Sequence, residues 1–143
     1  MLLIKGPIRD LLVRYKEIAA YVFFGGLTTL VNLLVFALAG WAGMGTFGAV
    51  TLAWVLAVVF AYLTNRRWVF KSTAKGAKNI LSEAAAFFSL RAGTYFLDLG
   101  IVWIFVEVLL FNSTLQSYIV KFGATVLVVI ANYLFSKFFV FRK

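Results

Sequence analysis

The sequence predicts an all-α integral membrane protein of four helices, built from two tandem two-helix repeats. Three observations predict this fold: an apolar composition, four long apolar segments, and a pattern that recurs in both halves of the chain. Of the 143 residues, 64% are hydrophobic and 13% are charged. A soluble domain is about half apolar and a quarter charged. We therefore expect one membrane domain over residues 1–143, without a separate soluble catalytic domain.

Four apolar segments reach the length of about 20 residues that a membrane span requires. They cover residues 18–42, 47–68, 84–110 and 118–139. Before the first span, residues 7–16 place Ile8, Leu11 and Tyr15 on one helical face among basic residues, with Pro7 suited to a first helical position. This pattern predicts a short N-terminal helix that lies in the interfacial layer of the membrane.

The connections between spans differ sharply in their basic residues. The connections at 44–46 and 111–117 contain no Lys or Arg. Basic residues instead occur before the first span, between the second and third, and after the fourth (Lys5, Arg9, Arg14, Lys16; Arg66, Arg67, Lys71, Lys75, Lys78; Lys137, Arg142, Lys143). Because cytoplasmic loops are the ones enriched in Lys and Arg, both termini and the central loop are predicted to be cytoplasmic.

The two halves of the chain share a repeated pattern. Gly25-Gly26-Leu27-Thr28 precedes Asn32 at the same spacing at which Arg91-Ala92-Gly93-Thr94 precedes Asp98. The second and fourth spans both end on Tyr-Leu, then a basic residue, an aromatic-Val-Phe triplet and another basic residue, at 62–71 and 133–142. Two-helix repeats enter the membrane in the same direction, so a pseudo-twofold axis along the membrane normal is expected.

Several residue types that support chemistry are absent. The sequence has no Cys and no His, which removes thiol nucleophiles, imidazole triads and Cys/His metal sites, so neither a metal nor a cofactor is expected. Asp98 and Glu107 point to opposite sides of their helix and no nucleotide motif is present, so an enzyme is not expected. The net charge of +9 lies at helix ends and loops, which favours topology and anionic lipid over nucleic acid.

The order of motifs across the four spans resembles the GtrA-like family. The resemblance covers nearly the whole chain and rests on the following residues: Gly25-Gly26, Asn65-Arg66-Arg67-Trp68-Val69-Phe70, Arg91, Asp98, Lys121, Asn132 and Phe139-Val140-Phe141. Ser136, Lys137 and Phe139 depart from the Asn, Arg and Trp more typical of the last motif. The resemblance implies a multi-pass protein of the bacterial cytoplasmic membrane that moves polyprenyl-phosphate (undecaprenyl-type) sugars to the outer leaflet, where membrane glycosyltransferases use them for cell-surface polysaccharides.

Polar side chains within the spans are the candidate substrate-binding groups, because a charge there costs about 2.5–3.5 kcal/mol on insertion scales. Arg91 and Asp98 share one side of the third helix, about 10 Å apart along its axis. The expected phosphate-binding residues are Arg66, Arg91 and Lys121, at different depths. The expected sugar-binding or orienting residues are Asn32, Asn65, Asp98 and Asn132, and Asp98 has the alternative role of orienting Arg91.

Structural alternatives remain for each of these groups. Arg91 and Asp98 can form a charge pair, Lys121 can reach the outer headgroups, and the Asn residues can hydrogen-bond between helices. For the whole chain, the alternative is a non-transporting partner that binds and stabilises a glycosyltransferase. A proton-coupled exporter of small cations is less favoured, because such a protein needs an embedded carboxylate away from cations. Four short helices are also compatible with a homodimer.

Overall fold

A computed structural model describes residues 6–110 and 113–141. Lys5, Arg142 and Lys143, which contribute to the predicted charge asymmetry, lie outside the described residues. The four helices are α1 Pro7–Trp41, α2 Thr46–Thr64, α3 Ala77–Trp103 and α4 Thr114–Phe135. Each is long and apolar enough to cross a membrane, with mean hydropathy between 1.3 and 2.1 in the best window. The predicted all-α, four-span architecture is therefore confirmed.

One detail differs from the expected boundaries. Residues 7–16 do not form a helix of their own but are the first turns of α1, which runs for 35 residues with Pro7 in its first turn. No Gly or Pro lies between residues 8 and 24 to interrupt the helix. At 1.5 Å per residue α1 is about 50 Å long, well beyond a hydrocarbon core of about 30 Å, so part of it extends past the apolar layer.

The chain divides into two compact units, Met1–Ser72 and Thr73–Lys143. In the first unit α1 packs against α2, and in the second unit α3 packs against α4. After α2 and α4 the chain continues into five-residue π-helical turns, Asn65–Val69 and Ser136–Val140, and these turns pack back onto α1 and α3 respectively. A third π turn, Ile104–Val108, ends the third span. The units match the boundaries of the predicted repeats.

Each unit is closed by an equivalent aromatic pair. The ring centroids of Tyr21 and Phe70 are 6.2 Å apart with an interplanar angle of 51°, and those of Phe87 and Phe141 are 5.9 Å apart at 55°. Tyr21 precedes Gly25 by four residues, as Phe87 precedes Arg91. All four rings are buried. The repeated sequence pattern therefore corresponds to a repeated packing arrangement.

The π turns begin at buried polar residues. The Phe70 amide donates to the Asn65 carbonyl at 2.9 Å, and the Phe141 amide donates to the Ser136 carbonyl at 2.8 Å. Within the described residues, Asn65 Oδ1 and Ser136 Oγ are buried and have no hydrogen-bond partner. An unpaired buried polar atom is unfavourable, so packing alone does not explain why Asn65 and Ser136 are polar. Because π turns occur often at functional sites, both positions are candidates for a functional role.

The second helix of the first repeat carries a stripe of small residues that its counterpart in the second repeat keeps only in part. On α2 these are Ala49, Ala53, Ala57 and Ala61, all buried, and small side chains at this spacing permit close helix approach. On α4 the equivalent positions are Val120, Ala124, Val128 and Asn132. Asn132 therefore replaces Ala61 at a buried position, which makes α4 the more polar of the two helices there.

Candidate functional site

The second unit contains an ion pair between its two long helices. Lys121 on α4 donates a hydrogen bond from Nζ to Asp98 Oδ2 on α3. The Asp98 side chain is 18% exposed and the Lys121 side chain 54% exposed, while the second carboxylate oxygen, Oδ1, is buried without a partner among the described residues. Lys121 is thus engaged across the helix pair, although its greater exposure leaves its ammonium group accessible to another anion.

Arg91 lies on α3 without a carboxylate partner in the described part of the chain. Its guanidinium carbon is 5.0 Å from the centroid of the Phe87 ring, an attractive cation–π contact. Its Nε atom is buried and has no acceptor there. Asp98 pairs with Lys121 instead, and the separation of about 10 Å along α3 explains why Asp98 does not reach Arg91. Arg91 therefore provides an uncompensated positive charge and an unused donor.

Asn132 is fixed by a hydrogen bond to α3. Thr94 Oγ1 lies 2.9 Å from Asn132 Oδ1, the nearest of its three acceptors, and donates to it; the Leu90 and Arg91 carbonyls of its own helix are 3.1 and 3.2 Å away. Both Thr94 and Asn132 are buried, at 5% and 3% exposure. Because its oxygen accepts from Thr94, the Asn132 amide nitrogen is left to donate to another group. Asn132 is buried because it continues the α4 stripe that is equivalent to the buried stripe of α2. Its partner Thr94 lies less than one helical turn from Arg91 on α3.

Replacement of Thr94 by valine is expected to lower the free energy of unfolding of the detergent-solubilised protein by about 1–2 kcal/mol, because it leaves buried Asn132 Oδ1 without its donor. Thr28→Val is the matched control: Thr28 is the repeat equivalent, and its hydroxyl bonds to its own helix, at the Phe24 carbonyl 2.8 Å away. Thermal or denaturant unfolding measures the difference. An equal effect of both substitutions would contradict a specific role for the Thr94–Asn132 bond.

The remaining predicted residues belong to the first unit. Asn32 is half-buried on α1 at the repeat position equivalent to Asp98, and Asn65 is buried at the start of its π turn. Arg66 Nη1 donates to Ser72 Oγ at 2.8 Å and lines a hollow of about 650 Å³. Arg91, Asp98, Lys121 and Asn132 all lie in the second unit, where α3 and α4 bring Asp98 to Lys121.

Two contributors were not predicted from the sequence. Thr94 positions Asn132, and Phe87 lies beneath the Arg91 guanidinium. Both share the α3 face of Arg91, three and four residues away, so helical periodicity around Arg91 is the signal that identifies them. Phe87 is fully buried, which gives the guanidinium a firm apolar base.

Arg91, Asp98 and Lys121 together carry one net positive charge, since Asp98 neutralises Lys121 and leaves Arg91. Such an arrangement can hold an anionic group at Arg91 and hydroxyl groups at Asn132 and Asp98. Within residues 6–110 and 113–141, no three His, Cys, Asp or Glu side chains converge in a metal-binding arrangement.

The chain is similar to several bacterial proteins over most of its length. It is 35% identical over 127 residues to the cell wall teichoic acid glycosylation protein GtcA of Listeria monocytogenes serovar 1/2a, covering 88% of this chain and 85% of the relative. It is 36% identical over 124 residues to the uncharacterized membrane protein YwcD of Bacillus subtilis, covering 86% of this chain and 94% of that protein. GtcA of Listeria innocua is 34% identical over 131 residues.

The model of the GtrA/DPMS transmembrane domain matches residues 20–141. That match includes most of the first apolar span, the whole of the other three, both aromatic pairs and every candidate substrate-binding residue. Together with the four apolar helices it confirms the predicted resemblance and a multi-pass membrane location. The chain belongs to the GtrA/DPMS transmembrane domain family.

Proposed function

We propose that the chain translocates a polyprenyl-phosphate-linked monosaccharide from the inner to the outer leaflet of the cytoplasmic membrane. The observation that carries this proposal is Arg91, a span residue with a buried, unused donor and no carboxylate partner in the described residues. A charge in this environment is costly. It is compensated when an anion occupies the site, and the phosphate of a lipid-linked sugar is such an anion.

The Asp98–Lys121 pair supplies the second step of the proposed mechanism. When the lipid phosphate moves beyond Arg91, it competes with Asp98 for the exposed Lys121 ammonium. The phosphate thereby exchanges one cation for another without entering hydrocarbon unpaired, where its desolvation would be prohibitive. Arg66, at the predicted cytoplasmic end of α2, makes the first contact with the phosphate. The polyprenyl tail remains in the lipid throughout.

The sugar hydroxyls require polar partners during the same movement. Asn132 offers its amide nitrogen, because its oxygen already accepts from Thr94. Asp98 offers a buried oxygen with no partner in the described chain, and so does Asn65; Asn32 is the remaining candidate. No covalent step is part of this proposal: the chain is a carrier rather than an enzyme, and membrane glycosyltransferases load and unload the lipid.

The relatives named for teichoic acid glycosylation suggest the class of acceptor. This similarity supports the proposal that the sugar delivered by the present chain is added to a cell-wall polymer of the teichoic acid type. Arg91 and Lys121 supply the phosphate contacts whichever sugar is carried. The lipid phosphate is therefore the part of the substrate that stays the same when the sugar differs.

Reconstitution tests the proposal directly. The purified full-length protein is incorporated into liposomes that contain a fluorescent polyprenyl-phosphate monosaccharide, and the label's exposure to an impermeant quencher is followed over time. Transfer between leaflets faster than in protein-free liposomes, and slower with Arg91→Ala, is the expected result. Absence of transfer together with stable association with a glycosyltransferase would instead favour the non-transporting partner role.

A further inference from the structure

A basic hollow lies at the end of α2 in the first unit. It measures about 650 Å³, and its lining includes Arg66, Arg67, Trp68, Lys71 and Ser72. Arg67, Trp68 and Lys71 are exposed, whereas Arg66 is half-buried. Three cationic side chains and an indole ring therefore line one concave surface, and Phe60, Leu63 and Thr64 complete its wall. Of these cations, the sequence predicted phosphate binding for Arg66 alone, whereas Arg67 and Lys71 entered only the charge asymmetry that predicts a cytoplasmic central loop.

The backbone brings these residues together by reversing after the π turn. Lys71 adopts a left-handed conformation, with φ of 47°, which is unfavourable for a residue with a Cβ. The Ser72 amide then donates to the Arg66 carbonyl at 2.8 Å, and the Ser72 hydroxyl accepts from Arg66 Nη1 at the same distance. Two hydrogen bonds between the same residues thus fold the chain back, so that Lys71 faces the hollow with Arg66.

The aromatic ring holds a second cation in place. The Arg67 guanidinium carbon lies 5.1 Å from the centroid of the Trp68 ring, and Trp68 itself stacks on Phe24 of α1, with centroids 5.5 Å apart at 14°. A guanidinium placed on an aromatic face keeps its charge and its in-plane donors for an anion. The hollow therefore combines preorganised cationic groups with a hydroxyl-bearing loop.

We infer that this hollow is a binding site for a phosphate group, with Arg66, Arg67 and Lys71 as its cations. The phosphate belongs either to a lipid headgroup at the membrane surface or to a soluble phosphate compound, since the recognition chemistry is the same. The inference rests on the proposed function only in extending the role of Arg66. It adds Arg67 and Lys71 as ligands and does not require that the phosphate is subsequently translocated.

The equivalent π turn of the second unit has different side chains. At its equivalent π turn, Lys137 is followed by Phe138 and Phe139 in place of Arg67 and Trp68. Lys137 Nζ lies 3.4 Å from the Tyr133 hydroxyl and 5.9 Å from the Phe138 centroid. The second unit thus keeps a cation at the first position and has the apolar Phe138 in place of the Arg67 guanidinium.

Trp68 fluorescence reports on the hollow. The substitutions Trp41→Phe, Trp54→Phe and Trp103→Phe leave Trp68 as the sole indole in the full-length chain. This protein, in phosphatidylcholine nanodiscs, is titrated with inorganic phosphate in one arm and with a short-chain polyprenyl phosphate in the other. Both titrations are made at raised ionic strength, which screens the diffuse attraction of the phosphate probe to surface charge. A saturable change in Trp68 emission in either arm supports the inference, and the arm that responds at lower concentration identifies the source of the phosphate.

Charge-removing variants then test the assigned ligands. Arg67→Gln and Lys71→Asn should each weaken binding by roughly tenfold, as expected for the loss of one charge-assisted contact. Asn tolerates the left-handed conformation of Lys71, so the turn is retained. The matched control is Lys75→Gln, which removes an exposed cation of the same loop outside the hollow and should leave affinity within about twofold. Size-exclusion profiles verify that each variant remains folded.

Equal weakening by Lys75→Gln, or no saturable response of Trp68 to either probe, would overturn the inference. Failure of this inference can be distinguished from failure of the proposed function. Leaflet transfer without a Trp68 response would refute the phosphate site in the hollow but not translocation. A Trp68 response that depends on Arg67 and Lys71, without leaflet transfer, would refute translocation but not the phosphate site.

Discussion

Substitution of Arg91 by alanine should reduce delivery of sugar to the outer leaflet by roughly 100-fold at normal protein levels, the equivalent of losing two hydrogen bonds to a charged group. Arg91 is the span cation that no described carboxylate neutralises, and its guanidinium is held over Phe87. Without it, a lipid phosphate meets no positive charge on α3. The sugar content of the cell-surface polymer, measured in a strain that depends on this chain, reports the loss.

Two further variants make that experiment specific. Arg91→Lys keeps the charge but loses the planar fork, so activity between that of the wild type and Arg91→Ala is expected. Lys78→Ala removes an exposed cation from the first turn of α3 and should retain full activity. Membrane protein levels are compared by immunoblot. Full activity of Arg91→Ala at an unchanged protein level would refute the role assigned to this residue.

Substitution of Lys121 by alanine should both abolish delivery and destabilise the second unit. It removes the partner of Asp98 and leaves a carboxylate in a membrane span without compensation, which costs about 1–3 kcal/mol. The lower end of that range applies if water reaches the pair, because Lys121 is more than half exposed. Thermal unfolding in detergent measures the stability loss, and the leaflet-transfer assay measures the transport loss.

The double variant Lys121→Ala with Asp98→Asn separates these two effects. Neutralising Asp98 removes the uncompensated charge, so stability should recover most of what Lys121→Ala loses, while transport remains absent. Asp98→Asn alone keeps the ammonium group and should retain part of the transport activity. If the double variant regained transport along with stability, Lys121 would have only a structural role in pairing Asp98.

The sequence was sufficient to predict those features that depend on residues close together in the chain. The four spans follow from hydropathy, and the repeat follows from shared spacing around Gly25 and Arg91. Arg91, Lys121 and Asn132 were identified because polar groups are rare within apolar helices. The unbroken length of α1 was not predicted, because its amphipathic start has the pattern of a surface helix, and nothing in that pattern says where one helix joins the next.

Contacts between helices could not be predicted from the sequence. The pairing of Asp98 with Lys121, and of Thr94 with Asn132, depends on how far α4 is shifted and rotated along α3. That register results from the packing of many apolar side chains and leaves no local pattern. Asp98 was therefore considered with Arg91, on its own helix, whereas the structure places its ionic contact across the interface on α4.

The number of residues in the π turns at 65–69 and 136–140 bears on where the side chains that follow each turn point. Each turn accommodates one residue more than an α-helical turn would, and one residue corresponds to about 100° of rotation. Deletion of a single residue from 65–69 should therefore convert the turn to an α-helical one and leave Phe70 directed at Tyr21. Deletion of one residue from α2, which has no extra residue to lose, should instead rotate Phe70, Lys71 and Ser72 together, even though each keeps its identity.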